Sequence, residues 1–477
     1  MAKFNSPRPT IRTTNHEGHV AYSMADKSKL VTQVLTSFFN EKKFYGDNSD
    51  DILETLDRVI KADPEFVSNL AVFARREFNM RSISHVLTAH LAHAPEGKPF
   101  VRQTVKGVAV RADDITEIMS YYLATFGKPI PNSLKKGIGD VLKTLDEYSL
   151  AKYKGDSKSV KMRDLLCLCR PKPMNGEQAA LWKRCIEGTM EIPETWETQL
   201  SARGNKKEVW EDLIEGKKLG YMAMMRNLRN IIKADPYNLD DVYAKLRDPV
   251  AVRKSKQLPF RFLSAYRTLK NEGLGTSKTY DVLEDALDAS ISNLPKIPGK
   301  TVIAIDISGS MSDPVSDKSD VRCCDISFML GLIANRICED AVVYTFNNQI
   351  KNVTVPKRVS ILEAVSSSRC GGGTYMELPF MAMTQQKIKA DRIIILSDNE
   401  CNSSWRAPVQ SLADRYRRET GNDIWVHAVD LQGYGTQQFY GKKTNIIAGW
   451  SEKVFDFILL AEEGVGSLEK KISEYTW

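Results

Sequence analysis

The chain has 477 residues, 42% of them hydrophobic and 27% charged, an ordinary globular composition too long for one average domain. No run of eighteen apolar residues occurs, which excludes a membrane-spanning helix. The opening MAKFNSPRPTIRTTNHEGH lacks the apolar stretch of a secretory signal.

Charge is unevenly divided. Residues 1–300 hold 48 Lys and Arg against 38 Asp and Glu, a surplus of +10, whereas residues 301–477 hold 19 against 22, or −3. An anionic partner is therefore expected on the first part. The eight cysteines, at 167, 169, 185, 323, 324, 338, 370 and 401, form no CxxC pair. Reduced thiols and a cytoplasmic location are expected.

The first 290 or so residues read as helices. Apolar residues recur at helical spacing in DDILETLDRVIKADPEFVSNLAVFARREF and in DDITEIMSYYLATF. Asp63-Pro64 supplies an N-cap followed by proline at the first helical position. VIKADP (59–64) is echoed by IIKADP (231–236), consistent either with stacked helical hairpins or with two good helix stops. His90 and His93 lie three apart on one predicted helix and read as helix-surface or satisfied side chains, not as a zinc pair. Cys167 and Cys169 point to different sides of a helix and read as packing.

SNLPKIPGK (292–300) is the expected boundary between residues 1–297 and 298–477. After it come short apolar β-rich runs: TVIAID, AVVYTF, DRIIILSD and DIWVHAVDL. Helical stretches separate them: VRCCDISFMLGLIANRICED, YMELPFMAMTQQKI and NSSWRAPVQSLADRYRRET. This alternation predicts a mostly parallel sheet covered on both faces. Ligands of such sheets bind beyond the carboxyl ends of the strands, where Asp306 and Asp398 both fall. GYG (433–435) reads as loop.

Asp306, Ser308 and Ser310 alternate at the end of the first strand, in DISGS. Thr374 follows the glycines of CGGG, and Asp398 ends a second strand. These hard oxygen groups suit Mg²⁺ or another hard divalent cation. Neutral hydroxyls leave such an ion under-neutralised, so it would seek an anionic ligand from outside. DISGSMS, GGGT and LSDNE resemble the metal-ion-dependent adhesion site of von Willebrand factor A domains, over about residues 298–477. The resemblance implies Ser308, Ser310 and Thr374 as direct ligands, with Asp306 and Asp398 holding the ion mainly through water.

With the basic helical part, the whole chain resembles the Ro ribonucleoprotein (TROVE-domain) family. RDLLCLCRPKP (163–173), MMRNLRNI (224–231) and LPFRFLSAYRTLK (258–270) carry that likeness. It implies an α + α/β architecture: an N-terminal ring of HEAT-like helical repeats followed by a von Willebrand factor A domain with a mostly parallel sheet. It further implies small noncoding RNAs on a basic outer face and misfolded RNA ends entering the ring. Where the family often has histidine this chain has Arg170, and where it has aspartate after the threonine this chain has Tyr375.

The residues support a nucleic acid separately. KYKGDSKSVKMRDLLCLCRPK (152–172) has seven basic and two acidic residues, and AVRKSKQLPFRFLSAYRTLK (251–270) has six basic and none acidic. Such groups neutralise phosphates, and interleaved Phe260, Phe262 and Tyr266 either stack on bases or pack in the core, the core being favoured. The candidate RNA contacts are Lys152, Lys154, Lys158, Lys161, Arg163, Arg170, Lys172, Arg226, Arg229, Arg253, Lys254, Lys256 and Arg261. No HExxH, Walker A or GxSxG pattern occurs, so a monomeric, non-enzymatic RNA-binding protein is expected. An exoribonuclease or other protein partner is a further expectation for the A domain. The rival is an adaptor whose cation grips a partner's carboxylate, without RNA.

Overall fold

In a computed structural model, the described residues are 11–15, 18–35, 50–153, 159–191, 193–292, 294–314, 320–356, 359–402, 408–449, 452–463 and 468–477. Secondary structure changes from helices to a sheet at Ile297. The compact units divide elsewhere: Ala25–Glu194 with Glu469–Trp477 form one, and Met1–Met24 with Thr195–Leu468 the other.

In the first unit, successive helices pack on neighbours one and two places ahead. Pro64–Arg76 meets Ser82–His93 and Lys98–Val108; Ser82–His93 meets Asp114–Phe126; Lys98–Val108 meets Asn132–Leu142. Each helix hides an apolar stripe against two others, the packing of stacked helical hairpins. Asp63 caps Pro64–Arg76 as expected, its carboxylate accepting from Phe66 N at 3.0 Å. The core holds a fully buried carboxylate. Asp114 accepts from Arg75 at 3.0 Å, Arg81 at 2.6 Å and His85 at 3.1 Å. His90 contacts Tyr121 and Asp57, and His93 stacks on Phe126 at 4.0 Å. His90 is thus hydrogen-bonded and His93 packed against rings.

The second unit begins with Arg12–Thr14 (β1) and Val20–Ser23 (β2), then continues with helices from Trp196–Arg203 to Ser277–Ile291. The echoed IIKADP does not repeat the junction at Asp63. Asp235 closes Tyr221–Ala234 in the left-handed region, φ 51°, and the next helix, Leu239–Arg247, starts only after Asn238. Glu211 accounts for the detour: its carboxylate accepts from Tyr237 N at 3.0 Å and its carbonyl from Asn238 Nδ2 at 3.1 Å. Phe260, Phe262 and Tyr266 are buried in or against Pro259–Asn271. At about 1.5–3 kcal/mol for a fully buried side chain, their role is core packing.

Six strands form the main sheet: Ile297–Asp306 (β3), Cys338–Phe346 (β4), Ile350–Asn352 (β5), Arg392–Ser397 (β6), Trp425–Asp430 (β7) and, after Thr436–Gln437 (β8), Thr444–Ala448 (β9). Their order is β5-β4-β3-β6-β7-β9, all parallel except β5. Val302, Ala304, Ile393 and Ile395 face one layer with Phe380, Met383 and Tyr416. On the other face lies Cys323–Ile337, where Gly331 lets the helix approach; a Cβ there would sit 2.4 Å from Ile305. β1, β2 and β8 make a separate small sheet.

One thiol expectation is overturned. Cys324 and Cys370 form a disulfide across 46 positions. The helix start and the loop meet because Arg322 donates to Ser368 O at 3.1 Å and Ser368 Oγ to Asp325 at 3.1 Å. Among the described residues, the other six cysteines are not in disulfides.

Candidate metal centre and nucleic-acid interface

The sheet order reverses direction at β3: the chain goes first to β4 on one side, then to β6 on the other. The carboxyl ends of β3 and β6 therefore flank the switch point, where a crevice opens. Asp306 ends β3 and Asp398 follows β6, and both are fully buried. Asp306 accepts from Ser308 N at 2.8 Å and from Ser397 Oγ at 2.6 Å. Ser308 and Ser310 hydroxyls stand 3.3 Å apart, and the Ser310 hydroxyl lies beside the Asp398 carboxylate.

Thr374 reaches the same place by backbone ties. Gly309 N donates to Gly372 O at 2.8 Å and Gly371 N to Ile307 O at 2.8 Å, stitching the two loops together. Gly372 sits at φ 89°, which a side chain would strain. All five predicted ligand-bearing residues thus converge. Burial and the neighbouring Asp398 push the Asp306 carboxyl up to about 7, and burial raises Asp398 as well. Asp398 Oδ2 is buried with no hydrogen-bond partner. Two mutually repelling carboxylates, one orphaned oxygen and converging hydroxyls are a donor set that fits a hard cation.

Several neighbours carry no signal of their own in the sequence. Ser397 orients Asp306, and Asn402 holds Thr374 by accepting from its N at 3.0 Å. The GYG stretch is a loop, but Tyr434 is close enough to Asp398, Glu400 and Asp313 for their charges to act on its hydroxyl. Of these neighbours, Ser397 and Glu400 fall within a motif, LSDNE. The acidic surroundings also differ from a simple count of aspartates. Asp313 and Asp320 are exposed, and Asp317 lies outside the described residues. Asp325 is buried and neutralised by Arg267 and Arg322.

The basic candidates divide between the two units. Lys154 and Lys158 lie outside the described residues. Lys152 and Lys161 are half-buried; Arg163, Arg170 and Lys172 line the same segment, all three exposed. Lys152 sits over the Tyr148 and Tyr153 rings at 5.5 and 5.6 Å. Arg170 ends Met162–Cys169 at φ 48°. In the other unit Arg226, Arg229, Arg253, Lys254 and Arg261 are exposed and Lys256 is exposed at a helix end. Arg229 is paired with Glu272 at 3.0 Å, and Arg253 and Lys254 occupy a last helical turn, where cations also suit the helix dipole. Burial lowers the Arg261 guanidinium, and the charge of Arg226, on a separate helix, lowers it further. Like charges held together at a surface favour an anionic ligand.

The TROVE domain family model matches residues 22–191 and 182–282, more than half of the chain. The chain belongs to the TROVE family. A second family model, the Ro60 vWA domain, matches residues 300–432, the stretch that carries all five candidate cation residues. This TROVE chain is 26% identical to telomerase protein component 1 of Rattus norvegicus, over 50% of its own length and 12% of the relative's. It is 25% identical to the RNA-binding protein RO60 of Caenorhabditis elegans, over 48% of this chain and 38% of that one. The figures for RO60 of Deinococcus radiodurans are 24%, 42% and 41%. The matches thus span less than half the length of these relatives. The crystal structure of the Deinococcus radiodurans RO (RSR) protein shares the fold, with a TM-score of 0.67 at 18% identity, covering 92% of this chain and 100% of that one.

Proposed function

We propose that this TROVE chain binds RNA through its helical part and acts by binding, without catalysis. The observation that carries the reading is the juxtaposed, exposed Arg226 and Arg261 in a chain whose relatives include proteins named for RNA binding. Small structured noncoding RNAs and the single-stranded ends of misfolded RNAs are the proposed ligands. The charge surplus of residues 1–300 supports a polyanion.

In the A domain, Ser308, Ser310 and Thr374 would hold a hard divalent cation directly, and Asp306 and Asp398 through water. Such an ion, when bound, offers an open position to an acidic group of a protein partner. The chain's own part is to hold two carboxylates and three hydroxyls in one crevice and to keep Asp398 Oδ2 free of other hydrogen bonds.

Filter binding of the full chain tests the RNA reading, with a structured RNA, a single-stranded RNA and duplex DNA of matched length, at graded salt. Preferential RNA binding that falls steeply with salt supports it. No RNA binding even at low salt, with a folded protein, refutes it.

A further inference from the structure

We infer that Asn15, in the turn of the N-terminal hairpin, is a positioning residue for the cation site, bracing the loop that presents Thr374. The inference rests on the cation reading given above. Asn15 is 5% exposed, and both ends of its amide are used. Oδ1 accepts from His19 N at 2.7 Å, within its own turn. Nδ2 donates to Cys401 O at 3.2 Å, across 386 positions. A backbone N–H can only donate and a carbonyl can only accept, so the amide has one orientation. The turn fixes Oδ1 and thereby aims Nδ2 at the loop.

The carbonyl it reaches belongs to the peptide joining Cys401 to Asn402. The N–H of that same peptide donates to Thr374 O at 2.8 Å. The Asn402 side chain accepts from Thr374 N at 3.0 Å. Thr374 is thus gripped on both sides by Asn402, whose peptide plane is held from behind by Asn15. Hydrogen bonds in such a chain polarise and strengthen one another.

The hairpin has its own anchors. β2 pairs with β8, Tyr22 opposite Gln437 and Ser23 opposite Thr436. Tyr22 packs edge-on against Tyr440 at 4.5 Å. β8 is in turn tied to the residue after Asp398, because Asn399 Nδ2 donates to Thr436 O at 2.7 Å. The small sheet therefore braces both the Thr374 loop and the Asp398 loop. By linkage, a docked hairpin raises cation affinity, and a bound cation holds the hairpin docked to the same extent.

The test uses the full chain with Mn²⁺ as probe. Titration calorimetry compares the wild type with Asn15→Ala and with Tyr22→Ala, which loosens the hairpin without touching the loop. Hydrogen exchange over residues 11–24 of the wild type is read with and without Mn²⁺. We expect both variants to bind Mn²⁺ roughly fivefold more weakly, at the low end of ordinary coupling between sites. We also expect Mn²⁺ to slow exchange in the hairpin, which a brace that served folding alone would not show. Equal affinities in all three proteins, or hairpin exchange indifferent to Mn²⁺, overturn the inference. If a variant fails to fold, the wild-type exchange decides. A wild type that binds no Mn²⁺ at all overturns the cation reading itself, a distinguishable result.

Discussion

Arg267 and Asp325, 58 positions apart, form a two-point ion pair with distances of 2.6 and 2.8 Å. Arg267 lies on Pro259–Asn271 and Asp325 at the start of Cys323–Ile337. The same guanidinium donates to Asp320 O at 3.1 Å and Val365 O at 3.2 Å. It thus joins the last part of the helical run to the sheet domain within one compact unit.

Breaking this pair should destabilise that unit. Asp325 is fully buried, and burial alone would raise its carboxyl; Arg267 and Arg322 outweigh burial and hold it low. Removing one partner of a buried pair costs about 3–5 kcal/mol. Because Arg322 remains at 2.8 Å, Arg267→Ala is expected at or below the lower end of that range. Arg267→Lys should recover only part of the loss, since a point charge replaces a fork. Urea denaturation of the full chain measures both; an Arg267→Ala protein as stable as wild type would contradict the account.

How far the sequence discloses these arrangements varies with the range of the interaction. TVIAID, AVVYTF, DRIIILSD and DIWVHAVDL all become strands of one sheet, because an apolar run buried on both faces is a local signal. The cation constellation is legible because three of its members lie within DISGS and the others stand at a strand end and beside a glycine run. Cys338 to Asp340 reads as the end of a helix but opens β4, where apolar periodicity does not separate a helix end from a buried strand. Nothing local distinguishes Arg267 from its basic neighbours, and its partner is set by tertiary packing alone. The N-terminal hairpin is silent in the sequence for the same reason. β1 and β2 have 3 and 4 residues, and β2 finds its partner at Thr436–Gln437.

Asp114 should make the first unit acid-sensitive. Burial would raise its carboxyl, but His85, Arg75 and Arg81 hold it well below the usual carboxylate range. A depressed carboxylate stabilises fully above its unfolded pKa, about 4, and the contribution is lost as pH falls through the folded value. His85, lowered by burial against the pull of Asp114, adds a loss that begins as pH drops below about 6.5, where the unfolded ring takes up a proton first. Asp114→Asn is expected to cost about 3 kcal/mol or more at pH 7. Its difference from wild type should narrow only below about pH 4. A constant difference down to about pH 2, by urea denaturation, would refute the assignment.

Ser308→Ala/Ser310→Ala should lose Mn²⁺ and Mg²⁺ binding while keeping the sheet. Both hydroxyls project at the strand end, outside the apolar layers that hold β3 between β4 and β6. Asp306→Asn should do the same, for the carboxylate is the anionic anchor of the group. Calorimetry with circular dichroism on the same samples is the check. Unchanged Mg²⁺ affinity in the double variant would rule out these hydroxyls as ligands.

RNA affinity should depend on the exposed basic residues additively and through salt. Each single-strand phosphate that the protein neutralises adds about 0.7 to the slope of log affinity against log salt. The triple variant Arg163→Ala/Arg170→Ala/Lys172→Ala should therefore flatten the slope by about 2 if all three touch phosphate. Arg226→Ala/Arg261→Ala should flatten it by about 1.4. Filter binding across salt concentrations gives both numbers. A triple variant with wild-type slope would remove the 163–172 segment from the interface, and Arg170, exposed at the helix end, is the first position to test alone.

RNA binding and cation binding should be separable. The surplus of +10 lies in residues 1–300, while residues 301–477 carry −3. A phosphate could in principle ligate an under-neutralised ion at Ser308 and Ser310, and that would make the A domain an RNA site. One such ligand competes with many Lys and Arg side chains elsewhere. Asp313 is exposed near the same crevice, and it repels a polyanion within a Debye length of about 10 Å at about 0.1 M salt. The repulsion is weaker than the aspartates of that segment suggest, since Asp325 is already neutralised by two arginines. A single carboxylate on a protein partner is repelled less than a nucleic acid. Ser308→Ala/Ser310→Ala is therefore expected to bind RNA like wild type while losing an acidic protein partner. Titration of RNA in EDTA decides the matter: if chelation alone abolishes RNA binding by a protein that circular dichroism shows to be folded, the cation site is an RNA site and the division fails.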